Sequence, residues 1–252
     1  MDKNNEKFAV LILAAGQGKR MESALPKPLT QLNGKPFIEW LVSSVEKSGI
    51  TDKPFIVVST DNQDQFGTAL GARVRYVIQT EQLGTGHAVT VAQDALKKYA
   101  NVLVLYGDHP TIPAEVLARL AATHEHSGAV LTFMTTVLDA FDGWKKIFFD
   151  FGRVKRDAKG EVMDIIERKG ASDEDLKIQE VNSGLYCFKA AWLWEQLPKL
   201  RAENVQKEYY LTDLIKIAID AGARVVAEPV EAKFCIGINT KEQLAMCEEA
   251  LR

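Results

Sequence analysis

Cysteine is scarce in this chain, and its placement makes no chemistry. Cys187, Cys235 and Cys247 are the only three. They stand far apart and form no CxxC, and the His124/His126 pair has no cysteine near it in sequence. Neither a disulfide framework nor a zinc site is expected, and the thiols read as buried free cysteines. Long hydrophobic runs are missing as well: no stretch reaches the roughly 18 apolar residues of a membrane span. The first residues, Met1 to Lys7, are polar and lack the apolar core of a secretory signal. An excess of one charge is also absent. The 31 Lys and Arg against 34 Asp and Glu leave a net charge of −3. That balance is unlike a general nucleic-acid binder, though it leaves room for a local basic site for a phosphorylated small molecule. The expectation is a soluble cytoplasmic protein with neither nucleic acid nor membrane as a partner.

What is present is a globular composition. Of 252 residues, 46% are hydrophobic and 26% charged, which argues against disorder and coiled coil. A chain of this length buries about three quarters of its unfolded surface and needs no disulfide or metal to fold.

Phe8 to Ala15 is an unbroken aliphatic run, as a strand covered on both faces of a parallel sheet requires. Short apolar runs follow at Pro54–Ser59, Arg73–Ile78, Val102–Tyr106 and Ala129–Met134. Between them lie stretches with helical spacing: Pro36–Lys47, His87–Tyr99 and Pro113–His126. Strand alternating with helix predicts a doubly wound α/β sheet. From 144 to 190 the pattern changes to alternating runs (RVKRD, EVMDIIE, NSGLYCF), predicting antiparallel or edge strands in an insertion or lid. Thr212–Ala221 reads as a helix with Thr212 as its N-cap. Arg224–Val230 reads as a strand and Lys241–Leu251 as a closing helix. No repeat, low-complexity stretch or linker interrupts the chain.

Three segments fall where an open α/β sheet places its ligand, at the carboxyl ends of strands. Leu13-Ala14-Ala15-Gly16-Gln17-Gly18-Lys19-Arg20-Met21 follows the first strand. Its small residues let backbone N–H groups approach a phosphate, and Lys19, Arg20 and Lys27 add positive charge. The dinucleotide fingerprint fails because position 21 is Met rather than glycine, and the Walker spacing is absent. No acidic ribose ligand stands at the expected distance on a second strand, so a NAD-dependent oxidoreductase is set aside. Gln79 to His87 (QTEQLGTGH) also runs from a strand end to a helix start, where its glycines would admit a flat base or an anion. Asp108 ends a buried run beside these loops and is placed to hold Mg²⁺, or to cap the turn before Pro110. Asn239 precedes the last helix, placed either to cap it or to offer its amide oxygen to the same metal.

Leu13 to Met21 with Leu25-Pro26-Lys27 resembles the LxAAGxGTRM…PK signature of the sugar-1-phosphate nucleotidylyltransferases. The likeness narrows through Gln79–His87, Tyr106-Gly107-Asp108, Gly152-Arg153, Ile166-Glu167, Gln179–Gly184 and Glu208–Asp213. These six segments occur in the order found in the uridylyltransferases that make the cell-wall precursor UDP-N-acetylglucosamine, the UDP-N-acetylglucosamine pyrophosphorylases. The resemblance covers about residues 8 to 250.

It implies a Rossmann-like doubly wound mixed sheet of the nucleotidyltransferase, GT-A-like kind, with a small β-rich sugar-binding elaboration. A single domain over 1–252 is expected: a nucleotide-binding part at about 8–135, a sugar-binding part at about 136–230, and a closing metal-ligand strand and helix at about 231–252. It implies UTP and N-acetylglucosamine-1-phosphate as substrates and Mg²⁺ as cofactor. Leu13, Ala14, Ala15, Gly16, Gly18, Gln79, Gly84 and Thr85 would hold the nucleotide. Arg20 and Lys27 would act in catalysis by neutralising the phosphates. Asp108 and Asn239 would ligate the metal. Tyr106, Gly152, Glu167, Asn182, Tyr210 and Thr212 would line the sugar pocket. The nucleophile of such a transfer is already an anion, which suits a sequence without a Ser-His-Asp or Cys-His arrangement. Positioning and charge neutralisation would carry the rate.

Three departures from the family pattern stand out. Lys19 replaces a Thr beside the triphosphate. His109 replaces an apolar residue and is expected at the surface or behind the ligands. Residues 140–151 (AFDGWKKIFFDF) are longer and more aromatic than the family's short Pro-x-Gly-Tyr-Gly link, and Phe151 takes the place of the Tyr. Trp144, Phe148 and Phe149 are placed either to stack on a sugar or to form a hairpin or dimer-contact surface. That leaves open the same reaction with another sugar-1-phosphate or nucleotide, and a catalytically silent sugar-nucleotide sensor. No hexapeptide repeat occurs, so acetyltransferase activity is not expected, and the chain is expected as a monomer or weak homodimer.

Overall fold

The computed structural model describes residues 7–16, 21 and 25–251. Gly18, Lys19 and Arg20, singled out above, lie outside the described residues. The strands are β1 (Phe8–Leu13), β2 (Gln31–Leu32), β3 (Lys35–Pro36), β4 (Phe55–Ser59), β5 (Arg75–Gln79), β6 (Asn101–Tyr106), β7 (Leu131–Val137), β8 (Arg153–Arg156), β9 (Val162–Ile166), β10 (Glu180–Lys189) and β11 (Val225–Pro229). The α-helices are α1 (Phe37–Lys47), α2 (Gln63–Leu70), α3 (Thr85–Thr90), α4 (Gln93–Leu96), α5 (Ala114–Ser127), α6 (Ala190–Gln196), α7 (Asp213–Asp220) and α8 (Lys241–Ala250).

One large mixed sheet runs β11-β7-β10-β6-β1-β4-β5, and β8 and β9 extend it from β10. β6, β1, β4 and β5 are parallel to one another, β11 is parallel to β7, and β10 runs antiparallel between β6 and β7. The apolar run of β1 has the predicted cause. Val10 and Ile12 pack under α1 and α5, while Ala9 and Leu11 face the opposite layer with α3, α6 and α7 residues. All four are at most 2% exposed. Burying each large aliphatic on either face contributes about 1.5–3 kcal/mol, so a strand in this position must be apolar throughout. The fold is thus helices on both faces of a sheet, a Rossmann-like doubly wound arrangement. Among the described residues, no helix is long and apolar enough to cross a membrane.

Several local expectations change. β10 is neither an edge nor a lid strand: it fills the gap between β6 and β7, with eight consecutive buried residues. The predicted 87–99 helix is two short helices, α3 and α4. Thr212 stands at the N-terminus of α7 but its side chain does not cap it; the hydroxyl instead donates to Glu167 at 3.2 Å. Asn239 does not cap α8 either, because Thr240 does so by accepting from the Gln243 N–H. The aromatic insertion is no hairpin. Gly143–Asp150 winds as a 3₁₀ helix that buries Ile147 and Phe148, and Trp144 packs on the same core as Ile236, Ile238 and Cys247. All three cysteines are free and buried, as expected.

Candidate active site

The parallel strands end level with one another. Leu13 of β1 is in register with Val57 of β4 and with Tyr106 of β6, and Ser59 with Gln79 of β5. The chain leaving these ends opens a cavity of about 790 Å³. It is lined by Leu13, Ala14, Ala15, Gly16, Lys27, Gln79, Gly84, Thr85, Tyr106, Asp108, Gly152, Glu167, Asn182, Thr212 and Asn239. These residues come from positions 13 to 239 and meet only in the folded chain. Tyr210 is the exception: it is not among the lining residues, and its hydroxyl donates to Gln206 on the same loop. Gly18 and Arg20 are outside the described residues.

At the centre stands a cation. The Lys27 ammonium donates to the Asp108 carboxylate and, at 2.8 Å, to Oδ1 of Asn239. Lys27 and Asp108 side chains are each 17% exposed. Burial, the largest single influence, raises the Asp108 carboxyl, but the Lys27 charge and hydrogen bond together with His109 and a backbone hydrogen bond outweigh it and hold Asp108 below its ordinary range. A carboxylate and an amide oxygen therefore converge on one positive charge. These are the hard oxygen donors a divalent cation takes, and the ammonium marks where such an ion fits. Among the described residues no cluster of three or more His, Cys, Asp or Glu forms a metal cage. A site with two protein oxygens suits an ion that keeps water or phosphate oxygens as its other ligands.

His109 lies behind this group rather than at the surface. It is 5% exposed, and its ring sits between Tyr106 at 5.8 Å and Phe151 at 6.2 Å. Burial pushes its pKa down, with Asp108 opposing and Lys27 reinforcing the shift. Gly237 is small for its sake: a Cβ there would stand 2.4 Å from His109 Nε2.

On one side of Lys27, Gln79 is 2% exposed and its Nε2 lies 2.9 Å from His87 Nδ1. The following glycines also let a distant segment pack closely against this loop. A Cβ on Gly84 would lie 2.6 Å from the Tyr209 carbonyl oxygen, and one on Gly86 2.5 Å from Leu200. The Gly86 N–H donates to the Tyr209 carbonyl at 2.8 Å, and Tyr209 N–H to the Leu83 carbonyl at 2.8 Å. Thr85 Oγ1 accepts from the Leu211 N–H at 2.9 Å. The 200–211 segment thus docks onto the loop, and glycine is what lets the two backbones touch.

On the other side, Gly152 and Glu167 flank the β8–β9 hairpin. Burial raises the Glu167 pKa, the Thr212 hydroxyl lowers it, and Asp213 raises it, for a net increase. The insertion borders this side, but its rings other than Phe151 pack against the protein. Phe148 is fully buried. The Arg153 guanidinium lies over Phe141 at 4.6 Å and near Phe149 at 5.3 Å, the two rings meeting edge to face, and Arg153 donates to the Phe149 and Phe151 carbonyls. Of the insertion, Asp150 and Phe151 reach the cavity.

Gln82, Asp150, Tyr186 and Glu208 also line the cavity; the sequence assigned none of them a role, although Gln82, Asp150 and Glu208 lie within segments quoted above. Tyr186 had a signal, since in β10 it falls on the same strand parity as Asn182. Glu208 had as its signal the motif it opens, but its arrival at the cavity depends on the docking of its loop onto Gly84.

Residues 10–205 match the model of the MobA-like NTP transferase domain. Proteins called bifunctional protein GlmU are similar over nearly the whole chain. That of Pelotomaculum thermopropionicum is 42% identical, covering 97% of this chain and 52% of its own length. That of Trichlorobacter lovleyi is 41% identical with the same two coverages. That of Caldanaerobacter subterraneus subsp. tengcongensis is 37% identical over 98% of this chain and 52% of its own. The chain spans about half the length of these curated relatives.

Proposed function

The chain belongs to the MobA-like NTP transferase family, and from that premise we propose that it transfers a uridylyl group from UTP to N-acetylglucosamine-1-phosphate, giving UDP-N-acetylglucosamine and pyrophosphate. The observation that carries this reading is the Lys27–Asp108–Asn239 cluster. It stands in one cavity between the Gln79–Thr85 loop and the Glu167–Asn182 side. A phosphate oxygen of the sugar-1-phosphate attacks the α-phosphorus of UTP, and the bond to the β-phosphate oxygen breaks. The nucleophile is already ionised, so no protein base has to take a proton. The work left to the protein is to hold two anions in line and offset their repulsion.

Lys27 supplies a positive charge at the centre, where the phosphates would meet, and Arg20 of the same family motif would supply a second. Asp108 and Asn239 are the residues that would hold Mg²⁺, which when bound neutralises charge on the phosphate oxygens. Gln79, buried and fixed through His87, has the donor and acceptor that a uracil edge requires. Glu167 accepts only and suits a sugar hydroxyl; the Asn182 amide both donates and accepts, as an N-acetyl group does. A second reading, the same reaction with a different sugar-1-phosphate, is favoured by one feature. Asp150 and Phe151 bring a carboxylate and a ring to the cavity wall.

Pyrophosphate release, measured with Mg²⁺ for four nucleoside triphosphates crossed with a panel of sugar-1-phosphates, tests the proposal. Release mainly from UTP with N-acetylglucosamine-1-phosphate, abolished by EDTA, is expected. Preference for another sugar would support the second reading. No release with any pair, from protein that binds UTP, would replace both with a sugar-nucleotide sensor.

A further inference from the structure

Tyr186 lines the cavity and is 1% exposed. Its hydroxyl meets a side chain that a regular strand would keep from it. β10 pairs with β7 through Asn182 opposite Thr135, and pairing resumes at Tyr186 opposite Phe133. Three residues of β10 therefore face one of β7, which is a bulge. Gly184 turns it with a φ of +74°. Residues four apart in a flat strand lie about 13 Å from each other. Here the Asn182 amide nitrogen donates to the Tyr186 hydroxyl at 2.7 Å.

The other end of the carboxamide is fixed as well. Asn182 Oδ1 accepts from the Gly184 N–H at 3.2 Å. A backbone N–H only donates, so it dictates which end of the amide is oxygen, and the Tyr186 oxygen then takes the NH₂ end. Tyr186 cannot swing away, because its ring is held by Tyr106 at 6.1 Å and Phe188 at 6.0 Å. One N–H and one lone pair of Asn182 remain, their directions set by β10 itself.

We infer that Tyr186 is a positioning residue for the sugar side of the cavity: its hydroxyl holds the Asn182 amide in one orientation toward a substituent that both donates and accepts hydrogen bonds. The inference rests on the nucleotidyl-transfer reading above. Without the hydroxyl, the Asn182 NH₂ loses its acceptor and the amide turns about its last torsion, so the sugar-1-phosphate meets it correctly aligned for only part of the time.

The test is a double-mutant cycle on steady-state kinetics, with each substrate varied in turn. Tyr186→Phe keeps the ring and its packing. It should raise KM for the sugar-1-phosphate about tenfold, the loss of roughly one well-made hydrogen bond, with KM for UTP and kcat changed less than about twofold. Asn182→Ala should raise the same KM. Adding Tyr186→Phe to Asn182→Ala should then change nothing further, because the residue it positions is gone. Melting temperatures of all four proteins accompany the kinetics. Equal effects of Tyr186→Phe in both backgrounds would overturn the inference. So would a rise in both KM values together, or a lower melting temperature with unchanged sugar KM, which is what a purely structural tyrosine gives. If the unaltered protein turns over no sugar-1-phosphate, the nucleotidyl-transfer reading itself has failed, and the inference falls with it; that result is read from the wild type alone.

Discussion

Replacing Lys27 by alanine takes a cation from between an ionised carboxylate and an amide oxygen. Two consequences separate. If the ammonium offsets charge that develops in the transition state, kcat falls about 10²–10³-fold while the KM values move little. A change confined to KM would reduce Lys27 to a substrate contact. The folded protein also loses about 1–3 kcal/mol, since Asp108 is left without the partner that holds its pKa down. Because Asp108 and Asn239 remain, Mn²⁺ should raise the melting temperature of Lys27→Ala more than that of the wild type. Equal shifts would show that the two oxygens do not form a cation site. Asp108→Ala removes the carboxylate instead, and neither Mn²⁺ protection nor turnover should survive it, although no core side chain is lost.

At the scale of elements, the segment carrying Asn239 is placed by the absence of a side chain. Gly237 faces His109, and its φ is not positive, so alanine there is opposed by space rather than by backbone strain. His109 is boxed in by Tyr106, Phe151 and Gly184. Gly237→Ala should therefore move the 237–239 backbone and pull Asn239 off the cluster, lowering activity about tenfold or more. Gly67→Ala in α2, with nothing within 4 Å, should be neutral or stabilise by up to about 1 kcal/mol. Adding His109→Ala should recover much of the activity of Gly237→Ala; no recovery would mean that the clash is not the cause. Elements of this kind also show what the sequence made legible. β1, β4 and β6 were readable as continuous apolar runs covered on both faces, β5 as a short apolar run, α1 and α5 because each buries one face with a helical period, and the presence of Asp108, Glu167 and Asn182 in one cavity because short motifs carry them. β10 is antiparallel, as its alternation allowed, but its central place was not legible because it depends on β6 and β7, which no local pattern encodes. Thr212 read as a cap from its neighbours, yet Glu167 competes for its hydroxyl from 45 residues away. The insertion's rings were ambiguous because aromatic side chains pack on a core or on a sugar by the same composition.

At the scale of the whole molecule, stability couples to pH through a residue far from the cavity. His124 of α5 is 1% exposed and joins the helix layer to the sheet, its Nδ1 lying 2.9 Å from the Thr132 hydroxyl of β7. Nε2 is buried with no hydrogen-bond partner among the described residues, so an imidazolium would bury an unpaired N–H. Burial, with a smaller push from Lys189, lowers the pKa to about 4, against about 6.5 in an unfolded chain. The unfolded state therefore takes up the proton first as pH falls. The stability held by neutral His124 is complete above about pH 6.5 and drains away toward pH 4. Between pH 7 and pH 5 the loss is about 2 kcal/mol, or roughly 4–8 °C in melting temperature for a chain of this size. Glu167 and Asp213 work against it, since burial raises both carboxyls and their ionisation costs the folded state as pH rises. Asp108 and Glu180, held low chiefly by Lys27 and Arg156 against the effect of burial, give full support above the ordinary carboxylate range and withdraw it as pH falls through that range and below. His124→Gln keeps a polar partner for Thr132 and cannot titrate. Its melting temperature should change distinctly less than the wild type's between pH 7 and pH 5, and parallel curves would assign the acid sensitivity to other groups.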